Sequence, residues 1–276
     1  MSEPSTRPAG GDRKITTRSL RVMKEAGEMI SALTAYDHLM AGLLDQAGIE
    51  LILVGDSAAM TVQGKYTTVT VTMEQMLYHA KNVSKGVERA LVVGDLPFLS
   101  YQVNPDEALR NAGRMVKEAY VEAVKLEGGH KLCLTIERIV DAGIPVMGHL
   151  GLTPQSIHKF GTYQVRATEP EEAEEVRRDA RALQDAGVFG LVLEKVPAAL
   201  ATEISKELDI PVIGIGAGPG CDGQILVTHD MLGLYTKFRP RFVRRYAELA
   251  VAMTDAFTGY IRDVKSRDFP SEEESY

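Results

Sequence analysis

Residues 123–129 read Ala-Val-Lys-Leu-Glu-Gly-Gly, and this stretch is the best guide to the fold because it places two charges inside an apolar strand. Side chains two residues apart in a strand point to the same face, so Lys125 and Glu127 share one face and Val124 and Leu126 share the other. Unpaired buried charge is costly. The pair is therefore either a salt bridge that closes one end of a sheet or part of a functional site.

The rest of the chain alternates strand-like apolar runs with amphipathic helical patterns. The predicted strands are Met29–Tyr36, Leu51–Asp56, Ala90–Asp95, Ala123–Glu127, Pro145–His149, Gly190–Glu194, Pro211–Ile215 and Gln224–Val227. Apolar strands that alternate with such helices indicate a parallel sheet covered by helices. Eight repeats in about 240 residues favour an α/β protein with a single-domain (β/α)8 TIM barrel. An open doubly wound sheet is the competing fold, but the chain lacks the Gly-rich dinucleotide fingerprint after its first strand.

Helix-start patterns support this reading. Thr72 and Gln75 form a capping-box pattern before an apolar stripe, and Asn104 precedes a proline at the start of the next helical pattern. A final long helix is predicted from about Arg241 to Ile261. Its predicted buried residues are Val243, Tyr246, Ala250, Met253 and Phe257.

The ends of the chain differ from its centre in composition. Residues 1–17 are rich in Ser, Pro, Gly, Arg and Thr and are predicted to form a disordered arm, and residues 269–276 an acidic flexible tail. The barrel would then span residues 18–268. Two connections, Ser57–Val71 and Gly151–Thr168, are long and follow the second and fifth strands, and such loops usually carry function.

Composition narrows the class of protein. The net charge of −7 makes nucleic acid or an anionic membrane surface an unfavourable partner. Cys133 and Cys221 lack metal-site spacing and fit a reducing compartment. No apolar run approaches the ~18 residues of a membrane span, and the N-terminus lacks the apolar core of a signal peptide. We therefore expect a cytoplasmic protein that acts on small molecules.

Four of the eight predicted strands end in a carboxylate, at Asp56, Asp95, Glu127 and Glu194. In a barrel these side chains would gather at the carboxyl-end mouth, where active sites lie. Singly, each has an ordinary explanation as a cap or a turn residue. Together, they repel one another in a partly buried mouth and need a cation or a proton. Lys125 offsets only one of them.

Carboxylate oxygens with no Cys and little His favour Mg²⁺ or Ca²⁺ over zinc. Asp56, Asp95 and Glu127 come from consecutive strands and therefore form a candidate metal cluster. Glu194 lies two strands further round and is the candidate general base for a metal-bound substrate.

Other strand-end residues are candidates for substrate binding. Lys125 would pair with a substrate carboxylate, and Ser57 offers a hydroxyl and a backbone N–H to the same group. His149 ends the fifth strand and is either a hydrogen-bonded core residue or a substrate ligand. The glycines of residues 214–220 follow the seventh strand, where phosphate-binding barrels hold phosphate, or they let a loop turn closely. The basic residues of Gly151–Thr168 are either a solvated face or contacts for an anionic tail of a second substrate.

Several blocks of the sequence resemble the ketopantoate hydroxymethyltransferase family. They are Val54–Ser57 (VGDS), Gly94–Phe98 (GDLPF), Val124–Gly129 (VKLEGG), Met147–Ser156 (MGHLGLTPQS), Val192–Glu194 (VLE), Gly214–Gly218 (GIGAG) and Cys221–Gln224 (CDGQ). The resemblance runs from about Thr16 to Phe269. The chain departs from it at Phe160–Val165, where the family usually has a glycine pair and a lysine.

The resemblance implies a (β/α)8 barrel, Mg²⁺ dependence, a cytoplasmic location and a homodecamer of two pentameric rings. It implies transfer of a hydroxymethyl group from 5,10-methylenetetrahydrofolate to 3-methyl-2-oxobutanoate, giving 2-dehydropantoate in pantothenate synthesis. By motif match, Asp56, Asp95 and Glu127 correspond to metal-binding positions. Ser57 and Lys125, with Asp56 and Asp95, correspond to ketoacid-binding positions. Glu194 corresponds to the proton acceptor.

Two other functions remain open. One is a Mg²⁺-dependent 2-oxoacid lyase or mutase of the isocitrate lyase and phosphoenolpyruvate mutase type. Such enzymes typically carry a cysteine in a mobile loop, and neither long loop contains one. The other is a non-catalytic oligomeric barrel that binds folate or metal. A scaffold would gain stability by replacing buried charge, so Lys125, Glu127 and Glu194 argue against it.

Overall fold

The computed structural model of the chain describes residues 13–236 and 238–276. Within them, eight parallel strands close into a barrel in chain order, so that the last strand pairs with the first. The strands are β1 Ile30–Thr34, β2 Leu51–Val54, β3 Leu91–Asp95, β4 Ala123–Glu127, β5 Val146–Gly151, β6 Gly190–Glu194, β7 Val212–Ile215 and β8 Gly223–Leu226. Each predicted strand overlaps an observed one, and the predicted TIM barrel is confirmed.

Helices occupy most of the connections between strands. They are α1 Thr17–Ala26, α2 His38–Ala47, α3 Ala58–Thr61, α4 Met73–Ser84, α5 Pro105–Ala119, α6 Cys133–Val140, α7 Ile157–Phe160, α8 Pro170–Asp185, α9 Ala198–Glu207, α10 Thr228–Met231 and α11 Leu249–Ser266. Short 3₁₀ segments lie at Thr68–Thr70, His130–Leu132, Pro154–Ser156 and Glu272–Glu274. The predicted capping box at Thr72 and Gln75 starts α4, and Asn104 caps α5. In the described ranges, no helix is both long enough and apolar enough to cross a bilayer.

The predicted N-terminal arm falls partly outside the described residues, which begin at Arg13. At residues 14–17 the structure differs from a disordered arm. The Lys14 ammonium donates to the Ala90 carbonyl at 2.7 Å, and the Ile15 N–H donates to the Arg89 carbonyl at 2.8 Å. Helix α1 then begins at Thr17. The domain limits at residues 18 and 268, and the flexible tail, stay predictions.

Residue contacts divide the chain into Met1–Leu226, which contains the whole barrel, and Val227–Tyr276. In the second unit, the predicted start of the final helix near residue 241 was wrong, because α11 begins at Leu249. The N–H groups of Tyr246 and Leu249 donate to the carbonyls of residues 231 and 232, at 2.8 and 2.9 Å, so the chain is not helical before that point. The predicted burial was also wrong for Tyr246, Met253 and Phe257, which are exposed, whereas Val243 is buried.

The barrel interior explains where the charged residues point. Its apolar layer contains Val93, Ala123, Met147 and Val192, one each from β3 to β6. Because side chains two residues apart share a face, the next inward positions on these strands are charged or ionisable. These positions are Asp95, Lys125, His149 and Glu194. The sheet therefore carries a row of ionisable side chains inside the barrel, at its carboxyl end. Val124 and Leu126 pack on the opposite face, against the helices, as predicted.

Candidate active site

Asp56 lies two residues after β2, Asp95 is the last residue of β3, and a hydrogen bond from the backbone joins them. The Asp56 N–H donates to Asp95 Oδ2 at 2.9 Å. Both residues are buried, and burial is the largest cause that raises the pKa of each carboxyl. The pKa of Asp56 rises to about 8, with the charges of Glu127 and Asp95 adding to the effect of burial. Both aspartates therefore need added positive charge to be fully ionised.

Lys125 is the cation at the centre of the row. Its Nζ lies 3.1 Å from Asp95 Oδ1, 3.5 Å from Glu127 Oε1 and 3.3 Å from His149 Nδ1. Burial alone would lower the pKa of Lys125, but the carboxylates of Asp95, Glu127 and Asp56 raise it above its ordinary value. For Glu127, burial alone would raise the pKa, but the charges of Lys125 and His149 lower it to about 2. Lys125 and Glu127 are thus a charged, buried ion pair.

His149 connects this pair to Glu194. Its Nδ1 lies 3.2 Å from Glu127 Oε1, and its Nε2 lies 3.5 Å from Glu194 Oε2. Burial and the charge on Lys125 act to lower the pKa of His149, but Glu127 and Glu194 raise it to about 9. The two carboxylates therefore favour the charged form of the imidazole, and the neighbouring Lys125 ammonium opposes it. The Glu194 side chain is 16% exposed, against 2% for Glu127, so Glu194 is the carboxylate more open to a ligand.

Sequence reasoning did not single out two buried residues that complete the site. Gln155 lies in the 3₁₀ segment after β5 and donates to the carboxylates of both Asp56 and Glu127. The Tyr101 hydroxyl donates to Gln155 Oε1 at 2.6 Å. Gln155 falls within the block MGHLGLTPQS, which was the available signal, whereas no pattern marked Tyr101.

Two loops bring further polar side chains to the mouth. The Ser57 hydroxyl lies 2.8 Å from the hydroxyl of Tyr36, which fixes its position beside Asp56. Burial, then the charges of Glu194 and Asp56, raise the pKa of Tyr163. Tyr163 belongs to the segment where the chain departs from the family pattern.

Arg166, a basic residue of the Gly151–Thr168 connection, already has partners in this connection and in α8. The Arg166 guanidinium lies 4.1 Å from the Phe160 ring centroid and also pairs with Glu172. A cation stacked on an aromatic ring and paired with a carboxylate has a structural role. Arg166 is therefore a poor candidate for binding an anionic tail, one of the two readings left open by the sequence.

The carboxylates of Asp56, Asp95 and Glu127 are the type of ligand that a hard divalent cation prefers. Asp95 Oδ1 is buried and lacks a hydrogen-bond donor, although Lys125 lies near it. Both oxygens of Glu127 already contact Lys125, His149 or the Gln155 N–H. Asp56 and Asp95 are therefore the better candidates for direct contact with a cation. Among the described side chains, no group of three or more His, Cys, Asp or Glu forms a complete metal site as it stands.

Gly151, at the end of β5, controls the position of the Glu194 backbone. It has a φ of +88°, and a Cβ added there would lie 2.3 Å from the Glu194 carbonyl oxygen. That oxygen accepts the Leu152 N–H at 2.8 Å. We expect Gly151→Ala to lower the free energy of unfolding by about 2–3 kcal/mol and to reduce activity, because the Glu194 backbone must move.

Urea unfolding and turnover of the variant test this expectation. Gly143→Ala is a matched control, since Gly143 has a similar φ of +86° but nothing within 4 Å of an added Cβ. It should cost only the backbone strain of about 1 kcal/mol. Equal losses in the two variants would show that the contact with Glu194 is unimportant.

The sequence matches a known protein family over nearly its whole length. Residues 14–272 match the family model described as ketopantoate hydroxymethyltransferase. The 3-methyl-2-oxobutanoate hydroxymethyltransferase of Bacteroides fragilis (strain ATCC 25285) is 58% identical over 264 residues, covering 96% of this chain and 97% of that relative. The protein of the same name from Prosthecochloris aestuarii is 58% identical over 266 residues, covering 95% and 96% of the two chains.

Solved structures with more distant sequences share the fold. Phosphonopyruvate hydrolase, in complex with oxalate and Mg²⁺, superposes with a TM-score of 0.62 at 13% identity, covering 94% of this chain and 93% of that one. A 2,3-dimethylmalate lyase of the phosphoenolpyruvate mutase/isocitrate lyase superfamily gives a TM-score of 0.62 at 20% identity, covering 90% and 88%. At these identities the likeness concerns the barrel alone.

Proposed function

Because the chain belongs to the ketopantoate hydroxymethyltransferase family, we propose that it is a hydroxymethyltransferase of pantothenate, and hence coenzyme A, biosynthesis. It would move a hydroxymethyl group from 5,10-methylenetetrahydrofolate to 3-methyl-2-oxobutanoate, giving 2-dehydropantoate. The observation that carries the proposal is the inward row of Asp95, Lys125, His149 and Glu194. This row combines a cluster of opposite charges with a more exposed carboxylate on its far side.

We assign the cation site to Asp56 and Asp95, with Glu127 beside them. Their carboxylates are the ligands that Mg²⁺ prefers, and burial makes added positive charge favourable there. A bound Mg²⁺ would act as a Lewis acid that polarises the keto group of the substrate. The protein residues do the remaining work of binding, orientation and proton transfer.

The ketoacid carboxylate is assigned to Lys125 and Ser57, with His149 nearby. Lys125, which is 3% exposed, brings a positive charge to a buried position, where charge-assisted hydrogen bonds are strong. The Ser57 hydroxyl is oriented by Tyr36. These contacts would hold C3 of the substrate towards Glu194.

Glu194 is assigned as the general base. It takes the proton from C3, so the C–H bond breaks and its electron pair remains on the substrate. That carbon then forms the new C–C bond to the one-carbon unit of the folate donor. Both C–N bonds of that unit break and tetrahydrofolate leaves. Water supplies the hydroxyl group, and its other hydrogen and the C3 proton go to the two folate nitrogens. His149 Nε2 lies 3.5 Å from Glu194 Oε2, so a charged imidazole would attract this carboxylate.

The lyase or mutase alternative fits the fold neighbours but is less well supported by the residues. Cys133 starts α6, and Cys221 follows β7, so neither lies in the long loops. Burial raises the pKa of both thiols, that of Cys221 to about 11. Neither is poised for acid–base or nucleophilic chemistry at neutral pH.

A direct assay tests the proposal. The protein is incubated with both substrates, with Mg²⁺ or with a chelator, and 2-dehydropantoate is measured by mass spectrometry. We expect product only with both substrates and Mg²⁺. Cleavage of 2,3-dimethylmalate or isocitrate without any 2-dehydropantoate would favour the lyase alternative instead.

The proposal extends to a cytoplasmic location and a homodecamer, both implied by the family resemblance. Light scattering of the purified protein should give ten chains per particle. A monomer in that measurement would contradict the proposed assembly and leave the proposed chemistry standing.

A further inference from the structure

Gln155 contacts the ends of three neighbouring strands although it lies in the loop after β5. Its side-chain amide donates to Asp56 Oδ2 at 2.9 Å and to the Leu96 carbonyl at 3.0 Å. Its backbone N–H donates to Glu127 Oε2 at 2.9 Å. The residue is only 5% exposed, so these contacts are shielded from solvent. One buried residue therefore fixes one oxygen of each of two carboxylates in the site.

Tyr101 fixes the orientation of the Gln155 amide. The fully buried Tyr101 hydroxyl lies 2.6 Å from Gln155 Oε1 and also accepts the Glu127 N–H at 3.1 Å. A flipped amide would turn its oxygen towards the acceptors on Asp56 and Leu96 and lose both hydrogen bonds. The hydrogen-bond partners thus permit one orientation, in which the amide N–H groups face Asp56 and Leu96.

We propose that Gln155 is the positioning residue for the cation site, acting through Asp56 and Glu127. The inference rests on the proposed function, since it assumes that these carboxylates serve a divalent cation. Crowded carboxylates repel one another, and an amide that holds one oxygen of Asp56 keeps the group in place against that repulsion. Hydrogen-bond partners behind metal ligands commonly change metal affinity by about 10–100-fold when they are removed.

The test is Mn²⁺ binding by the full-length protein without substrates, followed by electron paramagnetic resonance of free Mn²⁺. Gln155→Met keeps the unbranched shape and removes the amide. We expect its dissociation constant for Mn²⁺ to rise by about 10–100-fold. Gln102→Met is the matched control, because the contacts of the exposed Gln102 side chain are both long. Its Nε2 donates to Gln155 Oε1 at 3.5 Å, and its Oε1 accepts the Tyr101 N–H at 3.5 Å. The control should bind Mn²⁺ like the wild type.

Tyr101→Phe provides a second variant if Gln155→Met does not fold. It keeps the ring and removes only the hydroxyl that orients the amide. We expect weaker Mn²⁺ binding, with a smaller loss than for Gln155→Met. Thermal unfolding without Mn²⁺ is measured in parallel, because a purely structural role would lower the unfolding temperature and leave Mn²⁺ affinity unchanged.

The outcomes separate this inference from the proposed function. Wild-type Mn²⁺ affinity in both variants would overturn the positioning role, as would a wild-type protein that binds no Mn²⁺. Weakened binding in the variants supports the role even if the wild type makes no 2-dehydropantoate, a result that would overturn only the proposed function.

Discussion

Glu194→Gln should lower the enzyme-dependent exchange of the C3 proton of 3-methyl-2-oxobutanoate by about 10²–10⁴-fold, the usual contribution of a general base. Glutamine has nearly the same shape but cannot accept the proton at neutral pH. The measurement is proton NMR in D₂O with Mg²⁺ and without folate, so that only the first chemical step is observed. The 16% exposure of the Glu194 side chain makes it accessible to a ligand in the mouth.

Two controls make this result specific. Glu203→Gln changes an exposed glutamate on α9 that pairs with Arg177, and it should exchange at the wild-type rate. Calorimetry should show that Glu194→Gln still binds the ketoacid with Mg²⁺, because its role is in proton transfer. Wild-type exchange in Glu194→Gln would remove Glu194 as the base.

Lys125→Met should lower the free energy of unfolding by about 3–5 kcal/mol, the usual cost of removing one partner of a buried ion pair. Lys125 is 3% exposed and contacts Asp95 and Glu127. Without its charge, three buried carboxylates would face one another with only His149 to offset them. Urea unfolding in the presence of a chelator measures the loss. Product formation should also fall, since the ketoacid loses its charged partner.

Lys131→Met is the matched control for this variant. It makes the same chemical change at an exposed position in the 3₁₀ segment after β4 and should change stability by less than about 0.5 kcal/mol. Added Mg²⁺ should restore part of the stability of Lys125→Met, because a ligand that binds only the folded state stabilises it. An unchanged free energy of unfolding in Lys125→Met would contradict the buried charge cluster.

The strands and their charged ends could be predicted because both depend on local pattern. The alternation in Ala123–Glu127 sets which side chains face inward, and the structure shows the same division between Lys125 and Val124. A parallel barrel then brings all carboxyl ends of the strands to one mouth. The convergence of Asp95 and Glu127 on Lys125 follows from topology and alternation alone.

Other features depend on contacts that sequence pattern does not encode. Gln155 and Asp56 are 99 residues apart in the chain, and nothing local in either segment indicates their hydrogen bond. The start of α11 was mispredicted because tertiary hydrogen bonds of Tyr246 and Leu249 compete with helix formation. The sequence does not decide between a core and a ligand role for His149, because the contacts of His149 come from the neighbouring strands β4 and β6.

Carboxylates from separate strands are proposed to hold one divalent cation opposite Glu194. Anomalous diffraction from crystals soaked with Mn²⁺ and 3-methyl-2-oxobutanoate would locate this cation. One strong peak is expected within about 2.2 Å of carboxylate oxygens of Asp56 and Asp95, with the ketoacid between that peak and Glu194. A peak bound elsewhere, or no peak beside these two aspartates, would show that the cation site is wrongly assigned.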